Sequence, residues 1–463
     1  MDITPFLNRN LDIPLYQQLY QYFKENMHQR RIQKGMKLPS KRLLASQLSI
    51  SQTTVERAYE QLAAEGYIVS KPRSGWFADY NDADFVHSKM LSTSPVRQKA
   101  QKNEQWIDFH YGNVDSSHFP FSAWRKSMVN SLDQYGQELY RPGNALGELE
   151  LRTLIAEYLY QSRGVHCVPE QVIIGAGNPF LLQILCQVFE PDIFIGYEDP
   201  GYPRARKIFE ANRMKIVPIP VDDEGICIQK IKEQQPHLVY VTPSHQFTLG
   251  TIMTINRRMQ LLKWAADNQS FIIEDDYDGE FRYTGQPVPS LQGLDQHNRV
   301  IYMGTFSKSL LPSLRISYMI LPSPLLEKGH DITSLYKQTV SCHSQLTLAQ
   351  FIKNGEWQKH INRMRKLYRK KRAILLETVQ RELGKHVRIR GENSGLRILL
   401  DVFLPFSEKE LIEKAKEYGV KIYPVSLSYQ KHPPTKTVSL GFAGVSEVNI
   451  REGIKKLKAA WEI

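Results

Sequence analysis

The chain has 463 residues, more than the roughly 100–200 of a typical domain, so two or three units are expected. Hydrophobic residues make up 41% and charged residues 23%, an ordinary balance for a soluble globular protein with a sizeable core. No stretch approaches the ~18–20 apolar residues of a membrane helix. The start, residues 1–6, lacks a basic segment followed by an apolar one, so no signal peptide is expected and a cytoplasmic location is. Cys167, Cys186, Cys227 and Cys342 are far apart and form no CxxC, which argues for reduced thiols and against a disulfide framework or metal site. The net charge of +12 favours anionic partners such as nucleic acid and phosphates. Residues 1–80 hold eleven lysines and arginines against seven acidic residues, so charge alone does not single out the N-terminus.

Leu15, Leu19, Tyr22 and Phe23 recur at helical spacing and predict an amphipathic helix near residues 14–31. Ser40 is positioned to cap a second helix with Leu43, Leu44 and Leu48 on one face. A tight turn at residues 49–51 leads to a third helix carrying Val55, Ala58, Tyr59 and Leu62, which ends near Gly66. Residues 67–69 and 75–77 read as two short strands joined by residues 70–74.

A helix-turn-helix sets the start of its second helix against base edges in the major groove. Ser51, Gln52, Thr53, Thr54 and Arg57 fit that start, with Gln52 able to pair with adenine. Lys41 and Arg42 are placed for phosphates, and Lys71 and Arg73 for a wing at the hairpin tip. Periodicity alone leaves a small helical cap with solvated charges equally open. The runs Leu38-Pro39-Ser40-Lys41-Arg42-Leu43-Leu44-Ala45, Ser51 to Leu62 and Glu65-Gly66-Tyr67 resemble the winged helix of the GntR superfamily. Gln52 stands where that family most often has arginine, which leaves the operator sequence open.

Residues 81–105 are polar and aperiodic and read as a flexible linker between a unit at 1–80 and one at 106–463. Beyond them, short apolar runs such as residues 172–174, 193–195, 238–241, 271–273 and 300–303 alternate with amphipathic helices. That pattern predicts an α/β fold with a mainly parallel sheet covered on both faces. Residues 355–382 predict a long exposed helix packing one stripe of Trp357, Ile361, Met364, Leu367 and Tyr368.

Pyridoxal 5′-phosphate (PLP) chemistry needs a lysine for the Schiff base, a carboxylate for the pyridinium nitrogen, and a phosphate cradle of helix N-terminal N–H groups with a cation. Lys308 follows the strand ending at Met303, and Arg315 comes seven residues later. Asp275 and Tyr277 follow the strand at 271–273, at the edge where α/β sheets bind ligands. The loop 175–178 opens a helix with Pro179 at its first position. Singly, each has a plainer reading: a surface lysine, a solvated acidic or metal-binding loop, a tight turn.

Together, Ile174-Gly175-Ala176-Gly177, Glu198-Asp199-Pro200-Gly201-Tyr202, Thr242-Pro243-Ser244-His245-Gln246-Phe247, Ile273 to Asp278 and Gly304 to Arg315 resemble the fold-type I aminotransferase family. With the N-terminal module the chain is similar to the MocR/GabR subfamily of GntR regulators. The resemblance implies a smaller C-terminal α+β subdomain and a homodimer, with Lys308 as the Schiff-base lysine. It implies Asp275 on the pyridine nitrogen and Tyr277 on the ring oxygen. Ala176, Gly177, Thr305, Ser307 and Arg315 would hold the phosphate, and Tyr202 and Gln246 would lie beside the ring.

Effectors of that subfamily are often amines or amino acids held through a carboxylate by arginine. Arg204 occupies one such position. Near the C-terminus, where a GABA sensor is expected to have a second arginine, Gly441-Phe442-Ala443 is followed by Gly444, which offers no cation. Arg397 is a substitute cation, or it faces solvent or pairs with Glu392. The implied function is a DNA-binding regulator that senses PLP, alone or as an aldimine with an amine, by favouring one of two domain arrangements. The alternative is a working aminotransferase in which Lys308 also shuttles the proton.

Overall fold

The computed structural model describes residues 7–8, 13–80, 106–283, 288–430 and 435–463. The chain divides into two compact units, Met1–Lys102 and Asn103–Ile463. The expected linker at 81–105 lies outside the described residues.

The first unit contains α1 (Leu15–His28), α2 (Lys41–Leu48), α3 (Gln52–Ala64), β1 (Ile68–Lys71) and β2 (Gly75–Ala78). Ser40 Oγ accepts from the Leu43 N–H at 3.2 Å, and Ser51 Oγ accepts from the Thr54 N–H at 3.1 Å. Each cap satisfies a donor that the first helical turn leaves orphaned and contributes about 1 kcal/mol. Ser49, at φ 54°, turns the chain between α2 and α3. Leu19, Phe23, Leu44, Val55, Tyr59 and Leu62 are buried together. The Tyr59 hydroxyl donates to the Pro39 carbonyl at 2.9 Å, which ties α3 to the turn before α2. β1 and β2 form an antiparallel hairpin, Ile68 opposite Ala78 and Lys71 opposite Gly75, and Lys37 bridges to Phe77. Leu43 departs from expectation: it is 52% exposed, whereas Leu44 and Ala45 are buried. Leu44 and Ala45 bound the buried arc of α2, and Leu43, one step of about 100° before Leu44, falls outside it.

The second unit carries β3 (Ile107–Asp108), β4 (Val172–Gly175), β5 (Phe194–Asp199), β6 (Lys215–Asp222), β7 (Gly225–Ile226), β8 (Leu238–Val241), β9 (Phe271–Asp276), β10 (Val300–Thr305) and β11 (Ser317–Ile320). β12 (Val387–Arg390), β13 (Arg397–Val402), β14 (Val420–Lys421), β15 (Tyr423–Pro424) and β16 (Thr437–Gly441) follow. The large sheet runs β4-β11-β10-β9-β8-β5-β6-β7. β11 is antiparallel to both its neighbours and β7 to β6; the other pairings are parallel. Strand periodicity covers both faces: Ile173, Ile301, Met303 and Met319 enter one apolar cluster, while Val172, Ile174, Tyr302, Tyr318 and Ile320 enter another.

The smaller, C-terminal part is an antiparallel sheet, β12-β13-β16-β15. The helices Glu356–Glu382 and Glu447–Ala460 contribute to its core. On the long helix, Trp357, Ile361, Met364 and Tyr368 are buried as the stripe predicts. Lys371 is buried too, with its ammonium on Asp115 at 2.6 Å and the Ala443 carbonyl at 2.8 Å. β3 pairs in parallel with β14 and fixes the segment 109–113 beside β16. At Gly444 a Cβ would stand 2.5 Å from Asn113 Cβ, so the close packing leaves no room for a side chain there without displacing Asn113.

Candidate functional site

Register brings the chemistry together. Gly175 at the end of β4 lies opposite Ser317, Ser317 lies opposite Thr305 at the end of β10, and Met303 pairs with Asp275. The loops after β4, β9 and β10 therefore meet at one sheet edge. They line a cavity of about 190 Å³ with Lys308, Asp275, Tyr277, Ser307, Arg315, Gly177 and Tyr202 on its walls.

One end of the cavity suits an anion. Gly177, at φ 96°, caps the helix Asn178–Val188, whose N-terminus carries a partial positive charge. Arg315 Nη2 donates to the Ala176 carbonyl at 3.2 Å, and the guanidinium packs so closely on Gly177 that a Cβ there would overlap it. Ala176 thus holds the arginine through its carbonyl. Pro179 is the second helical residue, not the first. Ser307 Oγ is buried without a partner, while Thr305 Oγ1 accepts from the Ser307 N–H at 3.1 Å and from Ser317 Oγ at 2.8 Å. Thr305 braces the loop and Ser307 faces inward.

Asp275 is buried at the cavity floor. It accepts from the Tyr240 hydroxyl at 2.6 Å and from Asn178 Nδ2 at 2.9 Å. Burial pushes its carboxyl up to about 7, with Asp276 and Asp278 adding repulsion against the Tyr240 and Asn178 hydrogen bonds. No lysine, arginine or histidine among the described residues lies within ion-pair distance of it, so a cation at that point would complete the site. Lys308 Nζ donates to the Tyr111 carbonyl at 2.7 Å and lies 5.3 Å from the Tyr111 ring centroid. Burial lowers this amine to about 8; Asp278 opposes the shift, and Arg397 and Arg204 add to it.

Of the ten cofactor positions that the resemblance implies, eight line the cavity. Ala176 acts through Arg315. Gln246 faces away from the cavity. Its Nε2 donates to the Pro200 carbonyl at 2.7 Å, and its Oε1 accepts from the Thr248 and Leu249 N–H groups at 2.9 and 2.6 Å. The amide is consumed holding its own loop, and the next residue, Phe247, turns inward instead. Phe247 packs 4.4 Å from Tyr202, 5.4 Å from Tyr111 and 5.7 Å from Tyr277, centroid to centroid. Tyr111, Asn178, Tyr240 and Phe247 were missed as site residues. The cue for Tyr111 was the aromatic pair His110-Tyr111 before Gly112, directly after a short strand.

Of the two effector candidates, Arg204 is exposed at the cavity rim. Arg397 is 7% exposed, lies 4.3 Å from the Phe247 ring centroid and donates weakly to the Gln246 carbonyl at 3.4 Å. It does not face solvent. Among the described residues no carboxylate, Glu392 included, comes within salt-bridge distance of it.

In the first unit, Gln52, Thr53, Arg57, Arg42, Lys71 and Arg73 are exposed around the start of α3, the start of α2 and the hairpin tip. Arg73, at φ 60°, sits at that tip, and Lys71 Nζ lies 4.8 Å from the Phe77 ring centroid. Two expected contacts have other work. The Ser51 hydroxyl caps α3 and bonds Thr53 Oγ1 and Thr54 Oγ1 at 2.7 and 2.8 Å, and Lys41 is ion-paired with Glu56. Among the described residues no helix is long and apolar enough to cross a membrane, and no cluster of three or more histidine, cysteine or acidic side chains could hold a metal ion.

A winged-helix unit joined to an aminotransferase-like α/β unit defines a class of transcription regulator. Residues 15–78 match the family described as bacterial regulatory proteins, gntR family, and residues 104–457 match aminotransferase class I and II. The chain is 90% identical to an uncharacterized HTH-type transcriptional regulator, YdeL, of Bacillus subtilis over 100% of both chains. It is 34% identical to the probable rhizopine catabolism regulatory protein MocR of Rhizobium meliloti over 98% of this chain and 95% of that one. The kynurenine aminotransferase of Pyrococcus horikoshii, solved in complex with PMP, superposes with a TM-score of 0.72 at 27% identity, covering 82% of this chain and 98% of that one. The chain belongs to the MocR/GabR type of GntR regulators, with a fold-type I aminotransferase unit. These relatives favour a regulator over a plain aminotransferase.

Proposed function

We propose that the chain is a PLP-binding, DNA-binding transcription regulator whose aminotransferase-like unit is the sensor. The observation that carries this reading is a complete cradle on a chain that also has a winged helix. Lys308 offers the amine and Asp275 the carboxylate. Arg315, Ser307 and the Gly177 helix start offer the anion site. The buried, unpartnered Ser307 Oγ and the uncompensated Asp275 fit a phosphorylated pyridine. PLP bound there supplies an electrophilic carbon and an electron sink.

The protein's own groups do the rest. Lys308, with its lowered pKa, presents a reactive amine, Asp275 holds a pyridinium proton, and Arg315 binds phosphate. Phe247 and Tyr202 exclude water from one wall. Arg397, buried without a carboxylate partner beside Phe247, suits the carboxylate of an amino-acid effector, and Arg204 stands at the entrance. Gly444 argues against GABA and favours PLP itself as the signal. The partners are double-stranded DNA and a second copy of the chain, in the cytoplasm. Phe121, Met128, Val129 and Leu132 form an exposed apolar face on the helix Phe121–Tyr135, which supports the homodimer.

The test is a titration of the purified protein with PLP and then with a panel of amines and amino acids, read by absorbance and by operator binding. A cofactor band that responds to one ligand, persists, and changes DNA affinity supports the sensor. Full conversion to the pyridoxamine form, reversed by a keto acid with repeated turnover, supports the aminotransferase reading. The intact Lys308–Asp275–Arg315 set keeps that second reading open.

A further inference from the structure

Behind Tyr277 lies a buried cluster that the cofactor cradle does not use. His245, in the loop after β8, has its Nδ1 2.9 Å from Asp278 Oδ2 and 3.0 Å from the Tyr277 hydroxyl. The Tyr277 hydroxyl also lies 3.0 Å from the His245 carbonyl oxygen. His245 and Asp278 are buried, Tyr277 is half-buried at the cavity wall, and His245 Nε2 is buried with no hydrogen-bond partner. The ring therefore acts through Nδ1 alone. Gly395, just before β13, closes the cluster: at φ 73° it lies against the imidazole, and a Cβ there would overlap the ring and stand 2.7 Å from Asp278 Oδ2. The Gly395 N–H is tied to the Phe281 carbonyl at 2.7 Å.

We propose that His245, oriented by Asp278, is a positioning residue that turns the Tyr277 phenol proton toward the cavity. This deepens the cofactor reading above and rests on it. An ionised carboxylate only accepts, so the nitrogen facing Asp278 carries the proton. That same N–H then meets the Tyr277 oxygen as a donor. The phenol hydrogen has no place on Nδ1 and is left for the His245 carbonyl or for an oxygen of a ligand in the cavity. A Tyr277 hydroxyl supported from behind donates more strongly in front, because linked hydrogen bonds polarise one another. The charged and titratable groups facing this phenol are Asp275 near the end of β9, Asp278 in the loop that follows it, His245 after β8, and Arg397 on β13. Lys308 shares the cavity wall.

The test is the pH titration of cofactor absorbance in the PLP-loaded full chain. Variants are His245→Leu, His245→Asn, Tyr277→Phe and the His245→Leu/Tyr277→Phe double. His245→Leu should move the spectral midpoint by about one pH unit, in the direction Tyr277→Phe moves it. His245→Asn, whose amide N–H stands near the Nδ1 position, should restore it. In the Tyr277→Phe background His245→Leu should add nothing. A shift in Tyr277→Phe with none in His245→Leu, or effects that add in the double variant, overturns the proposal and leaves the cofactor reading intact. No shift in Tyr277→Phe overturns both. If His245→Leu does not fold, Asp278→Asn replaces it, since an amide donating to Nδ1 reverses the tautomer and should move the midpoint likewise. In the cofactor-free protein, nitrogen NMR should show His245 protonated at Nδ1; an Nε2-protonated ring overturns the proposal without reference to PLP.

Discussion

Lys308, in the loop after β10, donates its amine hydrogen to the carbonyl of Tyr111 at 2.7 Å. The bond links the loop after β10 to the segment that β3 and β16 hold in place, so the reactive amine is aimed by backbone on two sides.

The neutral amine is the form that captures an aldehyde. Burial lowers Lys308 to about 8, so the neutral fraction rises through pH 8 instead of through the ordinary lysine range near 10.4. PLP capture, followed by stopped-flow absorbance, should therefore accelerate from pH 6.5 and level off above about 8.5. Lys308→Ala should give no covalent band. A rate still climbing tenfold per unit at pH 9.5 would show that the amine keeps its solution pKa.

Asp275 has the opposite sign. Its folded pKa of about 7 lies above the unfolded value near 3.9, so the cofactor-free protein loses stability as pH rises from about 4 to 7. A pyridinium beside it removes that cost. Asp275→Asn should leave the cofactor-free protein as stable as the parent at pH 7.5, or more so, yet weaken PLP binding about tenfold or more, at least ~1.4 kcal/mol. Thermal melts with and without PLP check both halves. An unchanged PLP-induced rise in Tm would remove Asp275 from the cofactor.

Gly441 sets the backbone of Tyr111. A Cβ on Gly441 would come within 2.6 Å of Tyr111 Cα and 2.7 Å of its nitrogen, and the Gly441 N–H already donates to the Phe109 carbonyl at 2.8 Å. Backbone cannot rotate away as a side chain can. Gly441→Ala should shift the Tyr111 carbonyl and slow PLP capture several-fold, while binding of the isolated-site DNA to the PLP-free protein stays unchanged. Normal capture kinetics would mean that β16 yields and Tyr111 does not.

Arg397→Ala should weaken the response to an amino-acid effector at least tenfold, about 1.4 kcal/mol, and leave PLP loading in place. Arg204→Ala, at an exposed position, should cost less. A normal effector response in Arg397→Ala ends its role as carboxylate anchor.

Much of this was legible because strand ends carry the chemistry. An apolar run followed within a few residues by Asp275, or by Lys308, marks a residue at a sheet edge, and the parallel pattern brings such edges together. Period and capping likewise marked the helices of the first unit, with Ser40 and Ser51 as their caps. Direction within an irregular loop was not legible. Gln246 and Phe247 are neighbours, and only the saturation of the Gln246 amide by Pro200, Thr248 and Leu249 decides that the phenylalanine faces the cavity. Tyr111 contributes from a segment 197 residues before Lys308, and Tyr240, 35 residues before Asp275, from a strand that reads as plain core. Burial of Arg397 depends on packing against Phe247, which no local pattern encodes.

The ion pair between Lys41 and Glu56 gives the last prediction, in the winged helix. Lys41 begins α2 and Glu56 lies one turn into α3, so the pair crosses between the two helices whose starts face a DNA backbone in this class of module. Both side chains are partly exposed, and the pair adds little to stability. It does withhold one cation from phosphate. Glu56→Gln should release Lys41, tighten DNA binding and steepen the dependence of log affinity on log salt by about one. Lys41→Ala should then flatten that dependence by about one in the Glu56→Gln background and by less in the parent. Gln52→Ala, by contrast, should change base preference at one position and leave the salt slope alone. Fluorescence anisotropy on an operator fragment between 50 and 200 mM salt measures all three, and an unchanged slope in Glu56→Gln would place Lys41 away from the phosphates.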